Sequence, residues 1–373
     1  MPRVTIVAHD VGTPGGMERQ LAELCTGLLA RGHRVTVIAR RCELPAHPLL
    51  RWVRVRAPRR PFSLAYPAFA LVGSLAVGRW RDGVLHTTGA LVVNKADVST
   101  VHFCHHGFRE AVGSTRTSRS AVSYRLNARI AEWMSCVAER FCYRPARTRR
   151  LVSVSQGVAR ELREFFPAAP DYVTVIPNGV DAEQFAPDER VRAETRGRLG
   201  LAAGDLAAVF VGSEWERKGL RFAIEGVART NGWHLLVVGD GDVRGYGEIA
   251  ERHGAETRVH FVGGTAEPAR YFAAADAFLL PTSYEAFSLV TLEAAATGLP
   301  LLVGRVNGVE ELVREGENGW FVERSAGDIS ERLAALGDAD VRAATGAAAR
   351  ASSRRYGWPQ VVDAYAELYE TLR

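Results

Sequence analysis

Residues 281–300 read PTSYEAFSLVTLEAAATGLP and follow the apolar segment AFLL at 277–280. The apolar segment predicts a buried strand, Ser288 predicts the N-cap of a helix over 289–297, and Gly298 with Pro300 predicts the end of that helix. A strand that passes through a polar loop into a helix is the repeating unit of an open α/β sheet, which binds ligands beyond the carboxyl ends of its strands. This stretch therefore predicts an α/β fold with a ligand site in the loop 281–288.

Two glutamates stand out in this stretch. Glu293 lies in a helix that is otherwise almost entirely apolar, and a buried carboxylate is costly unless another group pairs with it. No basic residue lies within one helical turn, so the partner is either a distant part of the fold or a ligand hydroxyl pair such as a ribose diol. Glu285 lies in the loop, where the amides of Ala286, Phe287 and Ser288 would face an anion at the start of the helix. The simpler alternative is one exposed carboxylate and one capping carboxylate.

The spacing from Glu285 to Glu293 resembles the Glu-x7-Glu signature of the retaining nucleotide-sugar glycosyltransferases of the GT-B fold, the family 4 or group 1 type. The resemblance implies that Glu293 holds the ribose of the donor and that Glu285 contacts its sugar or phosphate region. It also implies that the loop and first helical turn, Ala286, Phe287, Ser288 and Leu289, bind the donor.

A second motif follows the apolar segment 206–211, where residues 212–219 read GSEWERKG. A strand, a loop with Arg217 and Lys218, and then Gly219 before a helix is a pattern that suits phosphate binding. Lys218 is one of only two lysines in the chain, the other being Lys95. The alternative is a solvated charge pair. The family resemblance implies instead that Arg217 and Lys218 neutralise the leaving diphosphate, so that no metal is needed.

The first 40 residues predict a βαβ unit with a glycine-containing loop, although the loop does not have the GxGxxG spacing. Gly15 and Gly16, followed by Met17, Glu18 and Arg19, resemble the start of many members of the same family, which implies that these glycines contact the donor. Two other functions remain open. One is an NADP-dependent oxidoreductase, with the arginines at 40 and 41 binding the 2′-phosphate. The other is a non-catalytic protein that binds sugar nucleotides.

Several potential metal ligands lie together at the end of a predicted strand over 98–102. They are His102, Cys104, His105 and His106. Side chains on an extended segment point alternately apart, and no second ligand pair has the spacing of a metal site. The resemblance implies that a histidine at this point lies beside the transferred sugar. His102 matches that position, with His105 and His106 as weaker substitutes. We therefore expect His102, Arg217, Lys218 and Glu285 to be the catalytic residues, with no metal or cofactor.

Alternating strand and helix patterns continue along the chain and predict two doubly wound parallel sheets. The turn PNGVD at 177–181 marks the boundary between them. We expect a GT-B fold, in which two Rossmann-like domains face each other across a cleft. Residues 1–181 form the acceptor domain, residues 182–355 form the donor domain, and a helix at about 356–373 crosses back onto the first. The segment 113–120, rich in serine, threonine and arginine, is predicted to be mobile.

Composition constrains the partners. Residues 1–180 carry 26 basic and 12 acidic side chains, so this half of the chain favours an anionic partner or surface. The scattered cysteines, five in all, indicate a reducing compartment, and the N-terminus lacks the apolar core of a signal peptide. We expect a cytoplasmic bacterial enzyme with a glycan, a lipid-linked saccharide or a small-molecule glycoside as acceptor, and no nucleic acid.

The segment 51–81 contains an apolar run, 62–78, with arginines on both sides. The run is short for a secure transmembrane span. Its basic flanks and the tryptophan at 80 predict peripheral contact with the inner face of an anionic membrane. The alternative is a core helix of the first domain with solvated arginines around it.

Overall fold

The computed structural model describes residues 3–12, 15–112, 122–168 and 170–372. The chain forms two compact units. Unit 1 comprises Met1–Gly179 and Trp358–Arg373, and unit 2 comprises Val180–Gly357. The predicted boundaries, 181 and 355, each differ from these by two residues. The predicted mobile segment 113–120 lies outside the described residues.

Unit 1 is built on a seven-stranded sheet in the order β5-β3-β1-β6-β7-β8-β9, in which neighbouring strands are parallel. Two short strands, β2 and β4, pair separately beyond the ends of β1 and β3. The strands are β1 Arg3–Val7, β2 Asp10–Val11, β3 Arg34–Ala39, β4 Arg41–Cys42, β5 Leu50–Arg54, β6 Val84–Thr87, β7 Ala96–Val101, β8 Thr148–Ser153 and β9 Val173–Val175. Most are buried apolar runs, as expected for strands covered on both faces.

The helices of unit 1 include the last helix of the chain. They are α1 Gly16–Ala30, α2 Phe62–Trp80, α3 His105–Val112, α4 Val122–Cys142, α5 Gln156–Phe165 and, at the C-terminus, α15 Trp358–Thr371. The predicted return of the C-terminal helix to the first domain is therefore seen, because α15 packs on α1. A Cβ at Gly27 of α1 would lie 2.5 Å from the side chain of Val362, so a glycine is needed for this close packing.

Unit 2 has a six-stranded sheet in the order β12-β11-β10-β13-β14-β15, again with parallel neighbours. The strands are β10 Leu206–Val211, β11 Trp233–Val238, β12 Val259–Gly263, β13 Ala277–Leu280, β14 Leu301–Val303 and β15 Gly319–Phe321. The helices are α6 Glu189–Leu199, α7 Trp215–Lys218, α8 Leu220–Ala228, α9 Val243–Arg252, α10 Ala269–Ala274, α11 Leu289–Thr297, α12 Val309–Leu312, α13 Ala326–Ala335 and α14 Ala339–Ser353.

The strand order creates a crevice at the centre of the sheet in unit 2. Its first strand, β10, lies in the middle of the sheet between β11 and β13, and the chain changes direction across the sheet there. In doubly wound sheets the loops at the carboxyl ends of two such strands diverge and leave a crevice for a ligand. The loops that follow β10 and β13 carry the residues 212–219 and 281–288 that the sequence singled out.

Helix α2 is neither buried nor fully solvated. Ala65, Phe69, Gly73 and Val77 are buried along one face. The opposite face exposes three leucines, whose relative exposures are 63% at Leu64, 65% at Leu71 and 68% at Leu75. Helix α2 is also long and apolar enough to cross a membrane by length and composition. One face of α2 therefore packs into the core of unit 1, whereas the opposite face exposes apolar side chains.

Candidate active site

The candidate site of unit 2 is formed by the two loops at the centre of its sheet. The first loop ends at Gly219, whose φ of +80° is in the left-handed region that favours glycine. A Cβ on Gly219 would lie 2.3 Å from the carbonyl oxygen of Pro281 in the second loop. Gly219 therefore lets the two loops come close enough for their side chains to meet.

Three of the predicted catalytic side chains meet here. The Glu285 carboxylate accepts a hydrogen bond from Lys218 Nζ at 2.8 Å and from Arg217 Nη1 at 3.0 Å, both at Oε1. The Thr282 hydroxyl donates to the same oxygen at 3.2 Å. The side chains of the three charged residues are only 11 to 18% exposed. Most of this charge is therefore shielded from bulk water, which strengthens its interactions.

The charged groups of this cluster shift one another's pKa values. Burial alone raises the pKa of Glu285, but the nearby charges of Lys218 and then Arg217 outweigh burial and lower that pKa below its usual value. Burial alone would lower the pKa of Arg217, and the carboxylates of Glu285 and Glu214 raise it. The Glu285 carboxylate and the Arg217 guanidinium are therefore both held in their charged forms.

Helix α7 presents both cations, although the sequence predicted that they lie in a loop. Glu214, the residue before α7, has a φ of 57°, which is strained for a residue other than glycine. Its carboxylate accepts from Arg217 Nη2 at 2.7 Å. The carbonyl oxygen of Arg217 accepts from the amide of Ser283 at 3.1 Å and from Arg324 Nη1 at 2.9 Å. These contacts fix the end of α7 against the second loop.

The second loop leads into α11 as predicted. Ser288 is the N-cap, its hydroxyl oxygen accepts from the amide of Thr291, and Gly298 ends the helix with a φ of 84°. The predicted burial is also confirmed, because every residue from Thr291 to Thr297 is buried. Glu293 is 4% exposed and lies in the second turn of α11. Ala286, Phe287, Ser288 and Leu289 lie between the ion cluster and Glu293, so this part of the predicted donor site is contiguous.

His102 belongs to unit 1 and follows the end of β7. Burial lowers its pKa to about 4, so its imidazole is neutral at physiological pH. Its Nε2 atom is inaccessible to solvent and has no hydrogen-bond partner among the residues that the structure describes. His102 therefore has an unused hydrogen-bonding nitrogen, and its contact with a sugar hydroxyl remains a prediction from the family resemblance.

Unlike His102, the two neighbouring histidines both contact one carboxylate. Nδ1 of His105 lies 2.7 Å from Glu139 Oε1, and Nδ1 of His106 lies 2.8 Å from Glu139 Oε2. Burial raises the pKa of Glu139, and the hydrogen bonds from the two histidines outweigh it and lower that pKa. Glu139 thus fixes the start of α3 to α4. This arrangement makes His105 and His106 poorer substitutes for His102 than the sequence indicated.

Gly15 and Gly16 lie at the start of α1, also in unit 1. Gly15 is the N-cap of the helix, and its carbonyl oxygen accepts from the amide of Arg19 at 3.0 Å. The other predicted donor-binding residues lie in unit 2. The predicted site thus divides into a contiguous group in unit 2 and two separate positions in unit 1, at the starts of α1 and α3.

Metal binding was the alternative for the segment 102–106. Among the described ranges, no group of three or more His, Cys, Asp or Glu side chains is placed to hold a metal ion. That the activity requires no metal ion remains a prediction, which activity measurements with and without EDTA would test.

Sequence reasoning missed two features of the cluster in unit 2. It assigned Arg217 and Lys218 to the diphosphate alone, whereas both are paired with Glu285. It also gave no role to Glu214, whose backbone is strained and whose carboxylate pairs with Arg217. The first feature had a signal in the sequence, because both motifs follow predicted strands whose ends converge in a doubly wound sheet. Pairing of specific side chains across two loops depends on loop geometry that residue types do not encode.

Two family models match the chain. Residues 14–184 match the family described as Glycosyltransferase Family 4, and residues 206–338 match the one described as Glycosyl transferases group 1. Among curated proteins, the glycogen synthase of Mycobacterium tuberculosis is 28% identical, with 95% of this chain and 91% of the relative covered.

Solved structures have the same fold at low identity. WaaG, a glycosyltransferase involved in lipopolysaccharide biosynthesis, superposes with a TM-score of 0.82 at 21% identity, covering 98% of this chain and 99% of WaaG. HepE of Anabaena in complex with UDP-glucose superposes with a TM-score of 0.74 at 19% identity, covering both chains fully at 100%. The two parallel-sheet units thus form a GT-B fold.

Proposed function

We propose that this chain, which belongs to the glycosyltransferases of the GT-B fold, transfers a hexosyl group from a nucleotide-diphosphate sugar with retention of configuration. Its family 4 domain is followed by a group 1 domain. The observation that carries this proposal is the cluster of Lys218, Arg217 and Glu285 at the crevice of the sheet in unit 2. The solved structure of HepE with UDP-glucose supports a nucleotide sugar as the donor.

The proposed reaction breaks the bond between the anomeric carbon and a diphosphate oxygen. The acceptor oxygen forms its bond to that carbon on the same face, and its proton passes to the departing phosphate. Negative charge accumulates on the diphosphate as it leaves. Lys218 and Arg217 stabilise this charge, and such preorganised charges are often the largest single contribution to catalysis. Glu285 orients both cations and contacts the sugar.

The proposal also assigns roles to the remaining residues. Glu293 in α11 binds the ribose hydroxyls, and the amides of Ala286, Phe287, Ser288 and Leu289 at the start of that helix face the phosphates. His102 donates or accepts a hydrogen bond at the sugar hydroxyls through a neutral ring. The glycine pair at the start of α1 contributes backbone amides to the donor. The acceptor is a glycan, a lipid-linked saccharide or a small-molecule glycoside.

The two rival functions are not favoured. An NADP-dependent oxidoreductase would give the cluster of unit 2 no role, and both matching family models are glycosyltransferases. A non-catalytic sugar-nucleotide protein would not need two cations held against a carboxylate at the crevice. Metal-free catalysis is part of the proposal, because two protein cations supply the positive charge that a metal would otherwise bring.

Hydrolysis of donors tests the proposal without knowledge of the acceptor. The purified chain is incubated with UDP-, GDP-, ADP- and dTDP-sugars, with and without EDTA, and release of the nucleoside diphosphate is measured. Thermal shift with each donor measures binding independently. One donor is expected to be bound and slowly hydrolysed, at the same rate with EDTA. Binding and hydrolysis of none of these donors would contradict the proposal.

We also propose that unit 1 contacts the cytoplasmic face of an anionic membrane. The exposed leucines of α2, at 64, 71 and 75, are spaced so that they share one face of the helix. The neighbouring helix α4, which packs against α2, exposes Ile130 by 38%, Trp133 by 67% and Val137 by 47%. Apolar patches of this kind are rare on soluble monomers and mark an interaction surface.

The charge around these helices favours lipid as the occupant. Arg51 and Arg79 flank the indole of Trp80, with guanidinium carbons 5.4 and 5.2 Å from its ring centroid. Arginines and a tryptophan beside an apolar face are typical of interfacial helices. Each basic residue near an anionic surface contributes about 1 kcal/mol at low salt, so a few suffice for reversible attachment.

Cosedimentation with vesicles tests this contact. Vesicles with phosphatidylglycerol should retain the protein at low salt, and vesicles of phosphatidylcholine alone should not. The double substitution Leu71→Ser and Leu75→Ser should weaken retention, whereas Val243→Ser with Val341→Ser, at exposed apolar positions of unit 2, should not. No retention by either type of vesicle would leave the basic half of the chain to a soluble anionic acceptor.

A further inference from the structure

Unit 1 contains a pocket that the proposed roles do not use. It has a volume of about 610 Å³ and lies beyond the carboxyl ends of β3 and β5. Two small apolar residues, Val55 and Ala57, line part of it. The remaining lining consists of five arginines, which we call the arginine pocket: Arg40, Arg41, Arg54, Arg56 and Arg59.

The sheet explains why these arginines converge. In the register of β3 and β5, Ala39 lies beside Arg54, so Arg40 and Arg54 leave the sheet next to each other. The amide of Val55 donates to the carbonyl oxygen of Ala39 at 2.9 Å and continues this pairing. Val55 is 2% exposed, and its neighbours on both sides, Arg54 and Arg56, are exposed. The alternation of an extended chain thus turns both arginines to the side away from the core.

The positive charge of the arginine pocket is poorly compensated. Arg54, Arg56 and Arg59 form no ion pair within the described part of the chain. Arg40 Nη2 donates to Asp10 Oδ2 at 3.0 Å, and Arg41 pairs with Glu43. An adjoining cavity of about 230 Å³ adds Glu18 to these two acids and shares three of the arginines. Arg54 and Arg56 therefore line the arginine pocket without an acidic neighbour, whereas Arg59 also borders the cavity with the three acids.

Arg40 is the most buried of the arginines that line the arginine pocket. Its guanidinium lies 5.9 Å from the ring centroid of Phe69, and the imidazole of His9 packs on the same ring with centroids 4.5 Å apart. Burial and then the charge of Arg40 lower the pKa of His9 to about 4, so His9 adds no positive charge at neutral pH. Arg40 Nε is buried and has no hydrogen-bond partner among the described residues. Arg40 thus lines the arginine pocket with a guanidinium that its contacts with Asp10 and Phe69 hold in place.

We propose that the arginine pocket binds a phosphate or diphosphate group of the acceptor. The assignment to the acceptor rests on the proposed glycosyl transfer, whereas the binding of phosphate rests on the pocket itself. Planar guanidinium groups match the oxygens of phosphate with paired hydrogen bonds. Several uncompensated arginines also suit a group with more than one negative charge better than a single carboxylate. The acceptor is accordingly a phosphorylated compound, soluble or attached to a lipid.

Binding of inorganic pyrophosphate, measured by calorimetry, tests the site. The wild type should bind at the arginine pocket and also at the cations of unit 2. The double substitution Arg54→Gln and Arg56→Gln should weaken the first component at least tenfold. A matched control is Arg34→Gln with Arg163→Gln, which removes the same charge from exposed arginines of unit 1. Lys218→Ala should affect the other component alone, so the two sites are distinguishable.

Several outcomes would overturn the proposal. They are unchanged binding in the Arg54 and Arg56 variant, an equal loss in the control variant, or glucuronate binding as tightly as pyrophosphate. RNA that competes more strongly than pyrophosphate would assign the pocket to nucleic acid instead. If pyrophosphate binds as expected but no nucleotide sugar is hydrolysed, the anion site stands and the proposed glycosyl transfer fails.

A further comparison identifies the source of the phosphate. Retention of the protein by vesicles of phosphatidylcholine with phosphatidic acid is measured with and without inorganic pyrophosphate as competitor. If pyrophosphate releases the protein from these vesicles and the Arg54 and Arg56 variant is not retained, the pocket takes a lipid headgroup. If retention is unaffected by either change, the pocket takes a soluble phosphate compound.

Discussion

At the scale of single residues, Glu285 decides how the cations of unit 2 behave. Lys218 and Arg217 both donate to one oxygen of its carboxylate, so neither is a free charge that waits for an anion. A diphosphate that enters the crevice therefore competes with Glu285 for the same donors. In the proposed reaction, this pairing would hold the cations in position before the donor binds and so lower the cost of orienting them.

Removal of either cation should lower turnover more than stability. For Lys218→Ala and Arg217→Ala we expect a loss of about 3 kcal/mol in transition-state stabilisation, roughly a hundredfold in kcat, as for other preorganised donors. Arg221→Ala is the control, because Arg221 is exposed on the next helix and pairs with Glu225. Donor hydrolysis and urea unfolding measure the two effects. Turnover at the wild-type rate in both variants would remove the diphosphate role.

Replacement of Glu293 by Gln should leave the fold intact and weaken nucleotide binding. A carboxylate accepts hydrogen bonds from two ribose hydroxyls, whereas an amide accepts at only one end. We expect the Kd for the nucleoside diphosphate to rise about tenfold, corresponding to one lost hydrogen bond of roughly 1.5 kcal/mol to a charged group. Calorimetry measures this change. A variant that is more stable and binds as tightly would show that Glu293 is only a core residue.

At the scale of elements, the sequence was most informative where a single segment contains its own signals. The cap at Ser288, the apolar body of α11 and the stop at Gly298 are all local, and the predicted bounds of 289–297 are correct. Helix α7 was missed because it is only four residues long and contains the charges that also suit a loop. The exposed face of α2 was not evident either, since its apolar residues cover nearly the whole circumference and only the fold decides which are buried.

The C-terminal helix α15 is held to unit 1 by a buried polar network. The hydroxyl of Tyr369 lies 2.7 Å from His86 Nδ1, and His86 Nε2 lies 2.7 Å from the Thr100 hydroxyl. Tyr369→Phe leaves a buried nitrogen without its partner, which costs about 1–3 kcal/mol of unfolding free energy. Tyr271→Phe, at a half-buried tyrosine of unit 2, should cost little. Urea unfolding followed by hydrogen exchange of α15 measures the difference, and equal stability of both variants would contradict the role of this network.

At the scale of the whole molecule, unit 1 contains three histidines that folding keeps uncharged. Burial lowers the pKa of His9 and His102 to about 4 and that of His86 to about 3. In the unfolded chain each titrates near its usual pKa of about 6.5. Between these values the unfolded chain binds protons that the folded unit does not, so the stability of unit 1 falls as the pH decreases through this window.

Acidification should therefore destabilise unit 1. Its unfolding should be linked to the uptake of up to three protons. Hydrogen exchange of unit 1 peptides, corrected for the intrinsic effect of pH, measures the free energy of opening from about pH 7 to about pH 4.5. His9→Gln removes one titrating group and should make the dependence shallower. A stability of unit 1 that does not change over this interval would contradict the burial of these three imidazoles in neutral form.

The fold as a whole and the composition of the site in unit 2 could be predicted, because strand-helix alternation and motif spacing are properties of the linear sequence. The arginine pocket could not. Arg40 and Arg41 were noticed as candidates for a 2′-phosphate, but Arg54, Arg56 and Arg59 were seen only as flanks of an apolar run. Their convergence depends on the register of β3 and β5, which is a property of the assembled sheet.

The stereochemistry of the product tests the central claim most directly. Proton NMR is recorded during hydrolysis of the donor that the chain accepts, before the released sugar equilibrates between its anomers. Retaining transfer predicts that an α-linked nucleotide sugar first releases the α-anomer, and that Lys218→Ala slows this release. First appearance of the β-anomer would contradict the proposed mechanism, because attack would then occur from the face opposite to the leaving diphosphate.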